Sequence, residues 1–418
     1  MNPLATTWVA LQEKLYFLHP LADQPDQLVL SALLLVAGMI SGEALHRLLG
    51  LSRIIGYVAA GALAGPGALD WLDARTLSMA EPLADTALGL LLLETGRSLD
   101  VKWLRTNREL LPSAIAESSL SLILVFAFSY FAADLSAGWS AATAAITMAS
   151  APAVVLLTTQ ENRAQGQVAQ RTLLLTAINC ALSFVVFAAV LGIVHAEQSG
   201  NWLNAVAHPL WVMAGGVGIG MLGARIALLL ASKIATGAVV RTFALIATAV
   251  FTIGLARTLS VPVFLSLFMM GVSLNLIDRK RVLSYIELPD VHWILAIGLF
   301  VITGAMLPLK DLNWLTAQLA FGLIVVRGVA KFIGVTLFGQ GDLSMKKRRM
   351  VGLGIQPLSA TAIFMASEIA SIYPEVGSEA LLLPLLAAAM MEFVGPQLCR
   401  YALITAGECP PDVKGDFL

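Results

Sequence analysis

The chain has 418 residues, 58% of them hydrophobic and 13% charged, and a net charge of −1. A soluble domain is nearer half apolar with about 25% charged residues, so this composition excludes an ordinary soluble domain and points to an integral membrane protein. The balanced charge gives no footing for nucleic-acid binding, and the three cysteines, Cys180, Cys399 and Cys409, are too scattered for a disulfide framework or a zinc site.

Residues 1–27 are mixed in character, with Lys14, His19 and Asp23. They lack the early basic region and small-residue cleavage site of a signal peptide, and read as an extracytoplasmic segment. A membrane span needs about 20 mostly apolar residues. Thirteen spans are predicted, at 28–48, 53–69, 79–96, 110–133, 138–159, 171–195, 209–231, 239–258, 261–277, 291–308, 314–338, 350–373 and 380–404, of which the second and ninth are short. A short polar tail, 405–418, follows. Lys and Arg favour cytoplasmic loops. The loops after odd-numbered spans, with the C-terminus, hold about 19 of the 26 basic residues, among them Arg97, Lys102, Arg105 and Arg108, Arg279–Arg281, and Lys346–Arg349. The expected topology is therefore N-terminus outside, C-terminus cytoplasmic, in a bacterial-type inner membrane.

Two spans are interrupted alike. Span 5 holds TMASAPAVVLL (147–157) and span 12 holds GIQPLSATAIF (354–364). Each sets a proline among small hydroxylated residues. Proline removes a backbone donor and breaks the helix, and freed backbone groups survive in a membrane only where protein or a water-filled cavity satisfies them. The two spans are seven apart, so they run in opposite directions. Matching broken helices in oppositely oriented halves are the pattern of an inverted-repeat transporter with its site at the midplane. A pair of ordinary proline kinks gives the same local sequence.

Span 11 carries Arg327 at its centre and Lys331 one turn later. A central basic residue costs several kcal/mol to insert and should face a partner or a cavity. Lys331, nearer the cytoplasmic end, has the reach to snorkel. The acids at suitable depth to meet Arg327 are Glu117 in span 4 and Glu392 in span 13; Glu94 in span 3 is a further candidate for titration. Such pairs serve either as fixed braces between helices or as titrating groups. No HExxH, GxSxG or P-loop pattern is present, so an enzyme and a bound cofactor or metal are not expected. The glycine-rich AGGVGIGMLGAR (214–225) lies within an apolar span and reads as close helix packing.

Six blocks in register resemble the monovalent cation:proton antiporter superfamily, which has the sodium/proton exchanger fold. They are IIGYVAAGALAGP (54–66), ALGLLLLETGRSLDVKWLR (87–105), MASAPAVV (148–155), RTLLLTAINCALSFVVFAAVL (171–191), LIVVRGVAKFIGV (323–335) and LSMKKRRMVGLGIQPLSATAIFMA (343–366). The resemblance implies an all-α membrane fold of 13 helices in inverted repeats, with two broken helices that cross. It implies a dimerisation scaffold (28–96 and 239–308), a mobile core (110–195 and 314–404) and a linker span (209–231). The chain would work as a homodimer in the bilayer, exchanging a monovalent cation, sodium or potassium, for protons by alternating access. The implied binding region is Ser150, Ala151, Pro152, Asn179, Cys180 and Gln356, with Arg327 and Lys331 as core basic residues.

In that family a helix-six aspartate binds cation or proton in turn, because burial brings a carboxylate towards neutral titration. Here Asn179-Cys180 stands where the family has Asn-Asp or Asp-Asp. Ser150-Ala151-Pro152 replaces a Thr-Asp-Pro type of motif, and Leu175 replaces a glutamate found in some members. Soft sulfur is a poor ligand for sodium or potassium, so Cys180 reads as a small apolar filler, and the Asn179 amide as a partner for the broken backbone at Ser150 and Pro152. Three functions remain open: antiport through a displaced acid, Glu117 or Glu392; transport of a different, anionic solute in the same fold; and a non-transporting membrane scaffold or sensor.

Overall fold

A computed structural model describes residues 27–411, except 73, 100–106, 200–201, 235–236, 279–281, 284–288, 339–340, 342, 359 and 373–376. The expected extracytoplasmic segment before Gln27, the end of the tail, and the loop residues Lys102, Arg105 and Arg279–Arg281 lie outside the described residues.

The described residues form helices and turns, with no strand among them. In chain order the helices are α1 (Gln27–Leu49), α2 (Arg53–Ala64), α3 (Ala74–Ser98), α4 (Leu110–Phe131), α5 (Ala137–Met148), α6 (Pro152–Glu161), α7 (Gln167–Ser199) and α8 (Trp202–Lys233). There follow α9 (Ala238–Thr258), α10 (Val263–Ile277), α11 (Pro289–Ala305), α12 (Trp314–Leu337), α13 (Met345–Gly354), α14 (Ala360–Ile372) and α15 (Gly377–Thr405). Each predicted span falls on one helix, apart from spans 5 and 12, which fall on the pairs α5–α6 and α13–α14. Among the described residues, eight helical stretches are long and apolar enough to cross a membrane, and four further apolar helices are shorter. α2 has 12 residues and α10 has 15. At 1.5 Å per residue the first is about 18 Å long, short of a hydrocarbon core about 30 Å thick. Gly65-Pro66 ends α2, five residues before the predicted limit of its span.

The helices pack in two groups. α1, α2 and α3 pack with α9, α10 and α11, while α4 to α7 pack with α12 to α15; α8 lies against α7 on one side and α9 and α10 on the other. Small residues set the close approaches. Gly56 of α2 presses on the backbone of Gly42 in α1, leaving no room for a Cβ. Gly220 and Gly223 in the 214–225 segment pack in the same way on Ser266 of α10 and Thr252 of α9. This is the glycine-mediated packing that lets helix backbones approach in a membrane. Outward faces stay apolar and exposed, as at Leu33, Val36 and Ile40 on α1 and Val239, Phe243 and Phe251 on α9, a surface suited to lipid.

Candidate functional site

The two breaks meet inside the α4–α7/α12–α15 group. α5 ends at Met148 and α6 begins on Pro152, the first helical position, where proline's missing N–H costs no helical bond. Between them Ala149–Ala151 leave the helical conformation, with Ala151 extended. α13 ends at Gly354 and α14 begins at Ala360. The breaks are tied directly to each other: Ala151 N donates to the Pro357 carbonyl at 2.9 Å, and Ser150 Oγ donates to the Ile355 carbonyl at 2.8 Å. Backbone groups that interruption left open are thus satisfied by the opposite break, as burial in an apolar medium requires.

Arg327 closes the other side. Its guanidinium donates to the carbonyls of Thr147 at 2.5 Å, Ala149 at 2.7 Å and Gln356 at 2.8 Å. The C-terminal ends of α5 and α13, each carrying the negative end of a helix dipole, therefore converge on one buried cation. Gln356 holds the position by donating from Nε2 to the carbonyls of Gly352 and Gly328, at 2.9 and 3.1 Å. The expectation that Arg327 meets Glu117 or Glu392 is corrected: its planar donor fork serves carbonyls, because two broken helices present more acceptors at that depth than any acid does. Glu392 is fully buried on α15, one turn before Gly395, whose backbone packs on Pro357.

Lys331 takes the acid instead. Its Nζ lies 2.8 Å from Glu117 Oε2 and 3.0 Å from Ser150 Oγ, and both charged side chains are 0% exposed. The expected snorkel is therefore absent, because the partner lies across the bundle and not at the interface. Glu117 is brought there by Gly334, whose missing side chain lets α12 lie directly on the Glu117 backbone. The carboxylate's second oxygen accepts from Asn179 Nδ2 at 2.8 Å and from Ser118 Oγ at 3.1 Å. Asn179 also donates to Ser118 Oγ at 2.9 Å, and its Oδ1 accepts from Ser150 N at 2.7 Å. One amide thus joins the first break to the buried ion pair. Losing either charged partner of such a pair costs about 3–5 kcal/mol, because the other charge is left uncompensated.

Of the residues expected from sequence, Ser150, Ala151, Pro152, Asn179, Gln356, Arg327, Lys331 and Glu117 come together here. Cys180 follows Asn179 on α7 and is buried, 2% exposed, in the apolar core with Phe184 and Phe364. Glu94 does not join the site: it lies on α3 in the other group, 2.7 Å from Arg97. Sequence reasoning missed Ser118 and the carbonyls of Thr147, Ala149 and Ile355. A signal for Ser118 was its place next to Glu117 on the buried face of α4, which also carries Ser113 and Ser121.

The chain matches the family model of the sodium/hydrogen exchanger transmembrane domain over residues 30–394. It belongs to the sodium/hydrogen exchanger family. YbaL of Escherichia coli (strain K12), named as a cation/proton antiporter, is 27% identical over 327 residues, which is 73% of this chain and 56% of YbaL. The chain thus spans about half the length of that curated relative. The sodium proton antiporter MjNhaP1 from Methanocaldococcus jannaschii superposes with a TM-score of 0.66 at 18% identity, over 91% of this chain and 95% of that one. That likeness shows the exchanger fold, and the family match over residues 30–394 makes the chain a membrane protein of the antiporter superfamily.

Proposed function

We propose that this family member exchanges a monovalent cation for a proton by alternating access, with Glu117 as the exchange carboxylate in place of a helix-six aspartate. The observation that carries this reading is the position of Glu117. It is fully buried where the two breaks cross, and it is held by Lys331, Asn179 and Ser118. Its oxygens, with the hydroxyls of Ser118 and Ser150, are the hard ligands a desolvated alkali ion needs. The Lys331 ammonium occupies the place such an ion would take. Two unit charges about 4 Å apart repel by about 4 kcal/mol at an effective dielectric of 20, roughly a thousandfold in occupancy. A cation and a protonated Lys331 therefore exclude each other at Glu117, which makes the site exchange one cation for one proton. Asn179 holds the carboxylate in both conditions, and Cys180 stays outside the exchange.

The anion alternative loses ground on one point: Arg327 already donates to three carbonyls and has little left to offer an anion. In this reading the thirteen spans are crossings with the N-terminus outside, supported by the skew of basic residues. The α1–α3/α9–α11 group is the scaffold, facing a second copy of the chain, and the crossing group is the part that moves. The test is dissipation of an imposed pH gradient in proteoliposomes on adding sodium, potassium or lithium. A signal with at least one of them is expected; silence with all three, in both directions of gradient, ends the antiport reading.

A further inference from the structure

The two helix groups are joined at one end by a polar contact that the exchange site does not use. Glu161, the last residue of α6, points out of the crossing group, and its side chain is only 1% exposed. Its carboxylate accepts from Ser52 Oγ at 2.8 Å, from the backbone N of Arg53 at 3.1 Å and from the Arg53 guanidinium at 3.1 Å. Ser52 is the N-cap of α2 and caps nothing on its own helix. The first turn of α2 is therefore capped from the other group, by a carboxylate lying at the positive end of its dipole.

The surroundings reinforce the contact. His46 Nδ1 is 2.9 Å from the Leu51 carbonyl in the α1–α2 turn and 3.6 Å from Glu161, and Arg53 is steadied from behind by Glu43 at 2.9 Å. Next door, Arg400 of α15 donates to Asn162 Oδ1 at 3.1 Å and to the carbonyl of Gly50 in the α1–α2 turn. A cavity of about 360 Å³, lined in part by Glu43, Arg53, Tyr57, Gln160, Glu161 and Trp293, opens beside this contact. Water therefore reaches its edge. Further along the boundary the groups meet through aromatic rings: Phe184 of α7 stacks at 6.2 Å on Phe264 of α10, which meets Phe364 of α14 at 5.2 Å. Cys180 lies one turn before Phe184 on α7.

We propose that Glu161 is a latch between the two groups, and that the crossing group reaches its other access state only when this carboxylate leaves the N-terminus of α2. The half-helix that begins at the first break, α6, ends in the latch. A displacement of the break therefore pulls on Glu161 directly, through a rigid rod of 10 residues. Each bond to a charged group is worth about tenfold or more in an equilibrium, so the latch sets how often the site opens towards the cavity end. Glu161 acts through the motion of α6 and touches no transported ion. The proposal rests on the alternating-access reading above, but its test does not need transport.

The test uses Cys180 as its own reporter. In the full-length chain carrying Cys399→Ser and Cys409→Ser, the rate of Cys180 modification by N-ethylmaleimide reports how often the crevice behind the aromatic contact opens. Glu161→Gln keeps the shape and removes the charge, and should raise that rate by about tenfold or more. Ser52→Ala removes a single bond and should raise it less, in the same direction. Should Glu161→Gln fail to fold, Ser52→Ala decides alone. An unchanged Cys180 rate in the folded variants overturns the latch, and faster amide hydrogen exchange confined to Arg53–Gly56 then makes Glu161 a helix cap only. A raised rate in a protein that moves no cation keeps the latch and removes the antiport reading.

Discussion

The guanidinium side and the ammonium side of the crossing make an instructive contrast. Arg327 and Lys331 lie one turn apart on α12 and are equally buried, yet one holds backbone and the other holds a side chain. Arg327 meets three carbonyls that belong to helix ends; these acceptors cannot change charge or leave without unmaking the crossing. Lys331 meets a carboxylate and a hydroxyl, partners that bind something else as readily. The first region is therefore a fixed brace and the second is where exchange is possible. The residue types suit the roles, since the planar arginine fork stays charged and matches several acceptors, whereas lysine is a point charge on a flexible stem.

The contrast can be broken by substitution. Arg327→Met leaves three buried carbonyls without their donor, at about 1–3 kcal/mol each. It should lower the thermal stability of the purified protein more than any other change here; a melting temperature within a few degrees of the parent would show that the brace is not needed. Lys331→Met should cost about 3–5 kcal/mol by leaving Glu117 unpaired. Adding Glu117→Gln to it should return much of that loss, while the same addition to Arg327→Met should return little. A double-mutant cycle reads this difference, and equal coupling to both cations would merge the two regions into one. Gln356→Ala, which removes two side-chain bonds behind Arg327, should cost about 1–3 kcal/mol. Smallest of all, Cys180→Ser should leave stability within about 1 kcal/mol, since a helical serine can bond its own i−4 carbonyl. Any transport should persist; its loss would put the thiol inside the exchange site.

Much of the fold was legible because a bilayer imposes strong rules. Span 13, expected at 380–404, is α15 at Gly377–Thr405, and span 6, expected at 171–195, is α7 at Gln167–Ser199. The breaks were legible because Pro152 and Pro357 each sit among small residues. Hydropathy fixes the depth of a residue, though not its rotation about the helix axis. Depth alone made Glu117 and Glu392 equal candidates for Arg327. Neither is its hydrogen-bond partner: Gly334 brings α12 onto α4 so that Glu117 meets Lys331, and Arg327 turns to carbonyls, which sequence does not mark as partners. The same blindness let Lys331 read as a snorkelling residue. Asn179 was legible as a partner of the break at Ser150. Its second bond, to Glu117, joins residues 62 positions apart, and no local pattern reveals it.

The most direct test of the account is cation-driven proton flux in proteoliposomes carrying Glu117→Gln, compared with the parent protein at equal amounts of folded chain. The account predicts a signal in the parent with sodium, potassium or lithium and its loss in the variant. Flux of parental size through Glu117→Gln would contradict it.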